Sequence, residues 1–347
     1  MTKGISIIVC CYNSIHRLPI ALQALQKLEI PHGWDAELVF IDNNSTDGTA
    51  EWARQYWEEA GNKLSMHCHT ETRQGIGFAR LRGVEAAKYN TILFVDDDNE
   101  LASDYVIRGC EILSKYPDVG VLAGISHGIF QNPLPKWIFP GFPFKPLMNA
   151  LAVSTPETSA PGYLSDESKN FVTAGTFFRK DIFETVLGLG HELILKGRSG
   201  KTLLSGEDDE FCYWAKMMGY RLYRSDELHF NHHIESSRIN QTYFQRLFFG
   251  FGYGSVILDS YWNALKYESA FPDERALKSR AISKIRLLKL AYAAFSVFAK
   301  DKAFKVQLLI KFQEGILTFL QDRPELPLLR AGIRELSVHL SDLKKER

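Results

Sequence analysis

The most constraining stretch of this chain is Thr91-Ile92-Leu93-Phe94-Val95, which runs directly into Asp96-Asp97-Asp98-Asn99. The apolar, β-rich run predicts a strand buried in a parallel sheet, with three adjacent carboxylates at its carboxyl end. Neighbouring anions repel unless a cation lies among them, and open α/β sheets hold their ligands outside the carboxyl ends of their strands. The junction points to a divalent cation carrying a phosphate. Oxygen-only ligands favour Mg2+ or Mn2+, which take one or two carboxylates and complete their shell with water and phosphate oxygens. Extended backbone turns Asp96 and Asp98 to one side and Asp97 to the other, which makes Asp96 and Asp98 the working pair. The same residues also read as a solvated acidic turn.

Upstream, the strand, loop and helix pattern repeats. Ile5 to Cys10 is a first apolar strand that ends in Cys11-Tyr12-Asn13-Ser14, and Leu18, Leu22, Leu25 and Leu28 continue as a helix. Tyr12 offers a flat face to a nucleobase or simply packs the loop. Glu37 to Ile41 is a second strand, closing in Asp42-Asn43-Asn44-Ser45-Thr46-Asp47-Gly48-Thr49. Helix capping accounts for Ser45, Thr46 and Asp47, whereas Asp42 and Asn43 fall at the strand tip, where a base edge could be read. A weaker strand around Leu64 to Cys68 precedes Arg73-Gln74-Gly75-Ile76-Gly77-Phe78-Ala79-Arg80, a helix start whose arginines suit a diphosphate. Such repeats imply right-handed crossovers and a sheet covered by helices on both faces.

Four of these pieces in this order resemble a family 2 glycosyltransferase of the GT-A fold: Cys11-Tyr12-Asn13 after a strand, Asp42 to Thr49 after the next, Arg73 and Gly75 before a helix, then Asp96-Asp97-Asp98. The resemblance implies a Rossmann-like, mostly parallel α/β sheet. It places Cys11, Tyr12, Asn13, Asp42, Asn43, Arg73, Gly75, Asp96 and Asp97 at the nucleotide sugar, with Asp96 near the ribose and Asp98 on the metal. Many members carry Asp where this chain has Asn43, so the base is left open. Phe171 to Arg179 reads as a strand and is similar to the family segment whose small residues line the sugar pocket, which places Ala174 and Gly175 there. Ser205-Gly206-Glu207-Asp208-Asp209-Glu210 reads as an acidic helix start with an apolar face of Phe211, Trp214 and Met218. It also matches the family's Glu-Asp motif, which makes Asp208 the general base of an inverting transfer and Glu207 its neighbour, with Asp209 as substitute. In Leu228-His229-Phe230-Asn231-His232-His233, His232 aligns best with a metal-binding histidine of related enzymes, with His233 and His229 as alternates. The implied cofactor is Mn2+ or Mg2+. The implied partners are a nucleoside-diphosphate sugar and a glycan or lipid-linked acceptor, and a homodimer is left open.

With 347 residues, the chain is long enough for a catalytic domain over residues 1–237 and a mainly helical region over 238–347. Within the first, Phe130 to Tyr163 is rich in proline and aromatics without periodicity, which predicts an irregular lobe, and within the second Phe248 to Gly254 reads as aromatic and flexible. Forty-one Lys and Arg balance 41 Asp and Glu, which argues against a dedicated nucleic-acid binder. Five scattered cysteines form neither a ligand pattern nor a disulfide framework, and the amino terminus lacks a signal-peptide run, so a cytoplasmic protein is expected. Between Glu274 and Lys311, ten Lys or Arg stand against two acids among interleaved apolar residues. That stretch suits peripheral contact with an anionic membrane, or packing with its lysines in water. Two other functional classes compete. A nucleotidyltransferase would need a basic, glycine-rich loop near the first strand, and a non-catalytic sugar-nucleotide binder would be expected to have lost one acidic cluster.

Overall fold

The computed structural model describes residues 3–61, 64–158, 160–165, 170–199, 203–266 and 271–345. Its strands are β1 (Gly4–Cys11), β2 (Asp35–Asp42), β3 (Ser65–Thr70), β4 (Thr91–Asp96), β5 (Asn99–Leu101), β6 (Val119–Phe130), β7 (Gly162–Tyr163), β8 (Thr176–Arg179) and β9 (Arg221–Ile234). They form one sheet in the order β3-β2-β1-β4-β8-β6-β9-β5, with β7 paired to β9. The half from β3 to β4 is parallel, as the repeats predict. Beyond β4 the pairing turns antiparallel, so the sheet is mixed.

Register explains where a site can form. Cys11 pairs with Asp42 and Cys10 with Asp96, so the carboxyl ends of β1, β2 and β4 finish level. Strand interiors such as Ile7, Val9, Phe40, Leu93 and Val95 are fully enclosed, each contributing roughly 1.5–3 kcal/mol of apolar burial. Helices α1 (Leu18–Gln26), α2 (Thr49–Glu59) and α4 (Tyr105–Lys115) supply Leu22, Trp57 and Val106 to the same core. On the other face, Gly83 of α3 (Ile76–Ala86) meets Ile8, where a Cβ would come within 2.4 Å of the isoleucine methyl. Phe183 of α5 (Lys180–Gly188) packs edge-on to Phe94 of β4.

The chain divides into two compact units. The first comprises Met1–Ile129, Ala152–Glu192 and Phe211–His233, and holds most of the sheet. The second comprises Phe130–Leu151, Leu193–Glu210 and Ile234–Arg347. Helix α6 (Glu207–Met217) begins in the second unit and ends in the first. The second unit contains α7 (Gln241–Lys266), α8 (Glu274–Phe298), α9 (Lys300–Asp322) and α10 (Leu326–Lys345). Among the described residues no helix is long and apolar enough to cross a membrane.

Two stretches depart from expectation. The aromatic-glycine run is the middle of the single helix α7 rather than a flexible segment. Its glycines serve close packing: a Cβ on Gly252 would stand 1.8 Å from the Phe312 carbonyl of α9, and one on Gly250 would stand 2.0 Å from that of Leu203. Intrinsic helix propensity disfavours glycine by about 1 kcal/mol each, and tertiary contact overrides it. The strand expected over Phe171 to Arg179 is confined to β8, because Gly175 adopts φ +61° and breaks the extended run.

Candidate active site

The site is built first by two loops that stitch together. Asn13, at φ 48°, donates its N–H to Ser45 Oγ at 3.0 Å and accepts the Thr46 N–H on Oδ1 at 2.8 Å. The Ser14 N–H donates to Thr49 Oγ1, and the Asn43 N–H to the Cys11 carbonyl. Asp42 is buried and accepts the Ser45 N–H. Cys11 is buried at the end of β1, and burial pushes its thiol well above the usual range, so it serves as an inert wall. Tyr12 is 39 % exposed, presenting a ring at the rim.

Asn43 has a task its sequence context did not reveal. Its amide Nδ2 donates to the carbonyls of Glu71 (2.9 Å) and Arg73 (2.7 Å), and its Oδ1 accepts the Gly75 N–H (3.0 Å). The side chain that was a candidate for reading a base edge is thus a clamp on the loop before α3. An aspartate would set an anion against two carbonyl oxygens, which accounts for the amide. Gly75, at φ 143°, allows that loop to approach. Arg73 is turned onto Glu71, donating from Nε and Nη2 at 3.0 and 2.8 Å, and lies over the Phe78 ring. The guanidinium holds the Glu71 carboxyl below the ordinary range.

β4 ends at Asp96, and Asp97 and Asp98 form a turn rather than the extended run expected, so each carboxylate is placed by its own partners. Asp96 receives Arg80, a guanidinium only 5 % exposed, at 3.2 Å. Asp97 faces elsewhere, accepting from Arg17 at 2.8 Å and from Ser14 Oγ. Burial and the charge of Asp98 push its carboxyl up, and Arg17 pulls it back. Asp97 therefore ties the first loop to the triplet. Asp98 is buried, accepts Asn99 Nδ2 on Oδ1, and has His232 Nε2 at 3.3 Å from Oδ2. The alternating burial of β9 separates the three histidines: His232 points inward with Leu228, Phe230 and Ile234. His229 stacks on His127 at the surface, and His233 bonds Glu100 at 2.8 Å. Gly175 lies in the turn before β8, where the Tyr105 hydroxyl donates to its carbonyl and a Cβ would meet the Phe230 ring at 2.7 Å. Ala174 beside it is buried.

The second acidic cluster opens α6, where the helix dipole favours carboxylates. Glu207 is buried and Asp208 half-buried. Glu210, fully buried, accepts the N–H groups of Ile194 and Leu195 at 2.9 and 2.8 Å and the Tyr261 hydroxyl at 2.8 Å. Burial raises its carboxyl to about 7. Sequence reasoning missed Glu210, Glu71 and Arg17 as organisers, because their partners are set by the fold and no local pattern marks them. Among the described residues no three acid, His or Cys side chains converge as a ready-made metal cage.

The sequence profile described as "Glycosyl transferase family 2" matches residues 6–187, more than half of the chain. A poly(ribitol-phosphate) beta-glucosyltransferase of Bacillus spizizenii is 30 % identical over 135 residues, 39 % of this chain and 21 % of that protein. Across this and two further curated relatives, the chain spans 21–28 % of their lengths. Two solved structures superpose with TM-score 0.52, and at their identities the likeness is one of fold. S. aureus TarS in complex with UDP-GlcNAc is 16 % identical, covering 99 % of this chain and 92 % of that one. Mannosyltransferase PcManGT from Pyrobaculum calidifontis, in complex with GDP-Man and Mn2+, is 15 % identical, covering 99 % and 86 %. The profile takes in β1, the two stitched loops, the clamp and the acidic end of β4, and on that match the chain belongs to glycosyl transferase family 2.

Proposed function

We propose that the chain transfers a sugar, with inversion, from a nucleoside-diphosphate sugar to the hydroxyl of a glycan or lipid-linked glycan intermediate. The observation that carries this reading is the buried Asp98–His232 pair beside Asp96 at the end of β4. A carboxylate and an imidazole 3.3 Å apart would suit Mn2+ or Mg2+, whose remaining ligands would be diphosphate oxygens and water. The ion when bound would offset the charge that grows on the departing diphosphate.

The chain's own residues supply the rest. Tyr12 offers its ring to the base and Asp42 its carboxylate to the nucleoside, while Asn43 keeps the Glu71 to Gly75 loop in place. Arg73 keeps Nη1 for the diphosphate, since Nε and Nη2 are engaged by Glu71. Asp208 takes the proton from the acceptor hydroxyl as that oxygen bonds to the anomeric carbon from the face opposite the diphosphate, and the carbon–oxygen bond to the diphosphate breaks. One displacement inverts the configuration. Five free thiols and these donors suit a reducing, cytoplasmic setting.

The test pairs two variants. With Mn2+ present, Asp98→Ala should lose most nucleoside-diphosphate affinity by calorimetry, while Asp208→Asn should bind normally and turn over about a hundredfold to ten-thousandfold more slowly. NMR of the product of the wild type should show an inverted anomeric centre. Retention, or an active Asp208→Asn variant, would overturn the assignment.

A further inference from the structure

Helix α8 takes no part in the chemistry above, yet it has an unusual surface. It carries Arg275, Lys278, Arg280, Lys284, Arg286 and Lys289, and no acid follows Glu274. It packs on α9 and half-buries Ile282, Ile285, Leu288 and Phe295. Away from these stand Leu287 (68 % exposed), Leu290 (72 %), Val297 (68 %) and Phe298 (90 %). At roughly 100° per residue, these four and Ala294 fall in one stripe about 100° wide. Arg280 and Lys284 border one edge and Arg286 the other.

A second segment of the same unit adds to this face. Phe144 packs edge-on to Phe295 of α8, with ring centroids 6.1 Å apart. The loop so anchored displays Phe142, 90 % exposed, with Lys145 also exposed. Bare apolar side chains on two elements, joined by an aromatic contact and framed by cations, are a surface awaiting a partner. Charge selects that partner. A second copy of this chain docked through a two-fold axis would set the basic borders against themselves. The face asks for something apolar and anionic at once, as the interface of an anionic bilayer is.

We propose that α8 and the Phe142 loop form a docking surface for an anionic lipid bilayer. The helix lies in the interfacial plane with Leu287, Leu290, Val297, Phe298 and Phe142 entering the acyl boundary, and Arg280, Lys284 and Arg286 meeting lipid phosphates. The proposal stands on this unit alone and does not depend on which sugar is moved.

The test is co-sedimentation of the full chain with sucrose-loaded vesicles of phosphatidylcholine alone or mixed with phosphatidylglycerol. Binding is expected on the mixed vesicles, not on the neutral ones, and is expected to weaken in high salt. Arg280→Glu with Arg286→Glu should lower partitioning more than tenfold, since each lost cation removes about fivefold. Leu290→Glu with Phe298→Glu should do the same with an unchanged circular dichroism spectrum and melting temperature, because both side chains are exposed. A wild-type protein that stays in the supernatant at low salt would overturn the proposal. So would variants that bind like wild type, or a dimer by sedimentation equilibrium that Leu290→Glu dissolves.

Discussion

The two acid-rich stretches, Asp96 to Asp98 and Glu207 to Glu210, have nearly the same composition and are built on different physics. In the first, each carboxylate meets a cationic or imidazole side chain carried by another element: Arg80 from α3, Arg17 before α1, His232 from β9. In the second, the innermost acid is held by neutral donors, two backbone N–H groups and a tyrosine hydroxyl. Ion partners offset the cost of burying carboxylates at the end of a sheet. Neutral donors in a sealed pocket leave one poised between its two forms.

The contrast can be broken most sharply with pH. Glu210 has an ordinary value of 4.5, raised to about 7 in the fold. The folded state therefore holds this proton more tightly than the unfolded chain. Its stabilising contribution is fully present below about 4.5 and is lost as pH rises through about 7, a swing of about 3 kcal/mol. Urea midpoints of the wild type measured across that window should fall relative to those of Glu210→Gln, which has no proton to lose. Parallel curves would mean that the pocket does not hold the proton.

A smaller effect is expected where a carboxylate is created with only one neutral donor, the Gly75 N–H, to hold it. Asn43→Asp replaces two donated hydrogen bonds by repulsion from the Glu71 and Arg73 carbonyls and should cost about 2 kcal/mol at neutral pH. The loss should shrink in acid as the new group protonates, and a variant as stable as wild type would remove the clamp from the account. Smallest of the three is Asp97→Asn, at about 1 kcal/mol, because Arg17 is 31 % exposed and recovers hydration. Raising salt should narrow that difference further. A loss several times larger would show that Asp97 orders the first loop through more than this ion pair.

What the sequence disclosed and what it hid divide along contact range. The buried strand Thr91–Asp96 was legible from its continuous apolar run, whereas the turn at Asp97 and Asp98 was not. The parallel half of the sheet was legible too, from its repeated strand and helix units. His232 was favoured over His229 and His233 by the family resemblance alone, and the residues' own pattern separated the three only once the inward positions of β9 were fixed by Leu228, Phe230 and Ile234. The Asn43 clamp was invisible for a similar reason, since its partners lie about thirty residues along the chain. Glu210 looked like one more acid at a helix start because nothing local announces that Ile194, Leu195 and Tyr261 converge on it. Glycines 250, 252 and 254 suggested looseness where the fold uses their lack of a side chain.

That use of glycine bears on how this protein can change over evolutionary time. Gly250 and Gly254 sit one helical turn apart, about 6 Å, and abut the carbonyls of Leu203 and Ser205, the backbone just ahead of Glu207 and Asp208. The spacing of that strap is therefore set by main chain against main chain. Drift among the surrounding aromatic residues of α7 can alter what the helix touches elsewhere without lengthening or shortening this separation, whereas a single methyl at either glycine must move it. The acid-bearing segment is thus insulated from most substitutions in its support and exposed to two.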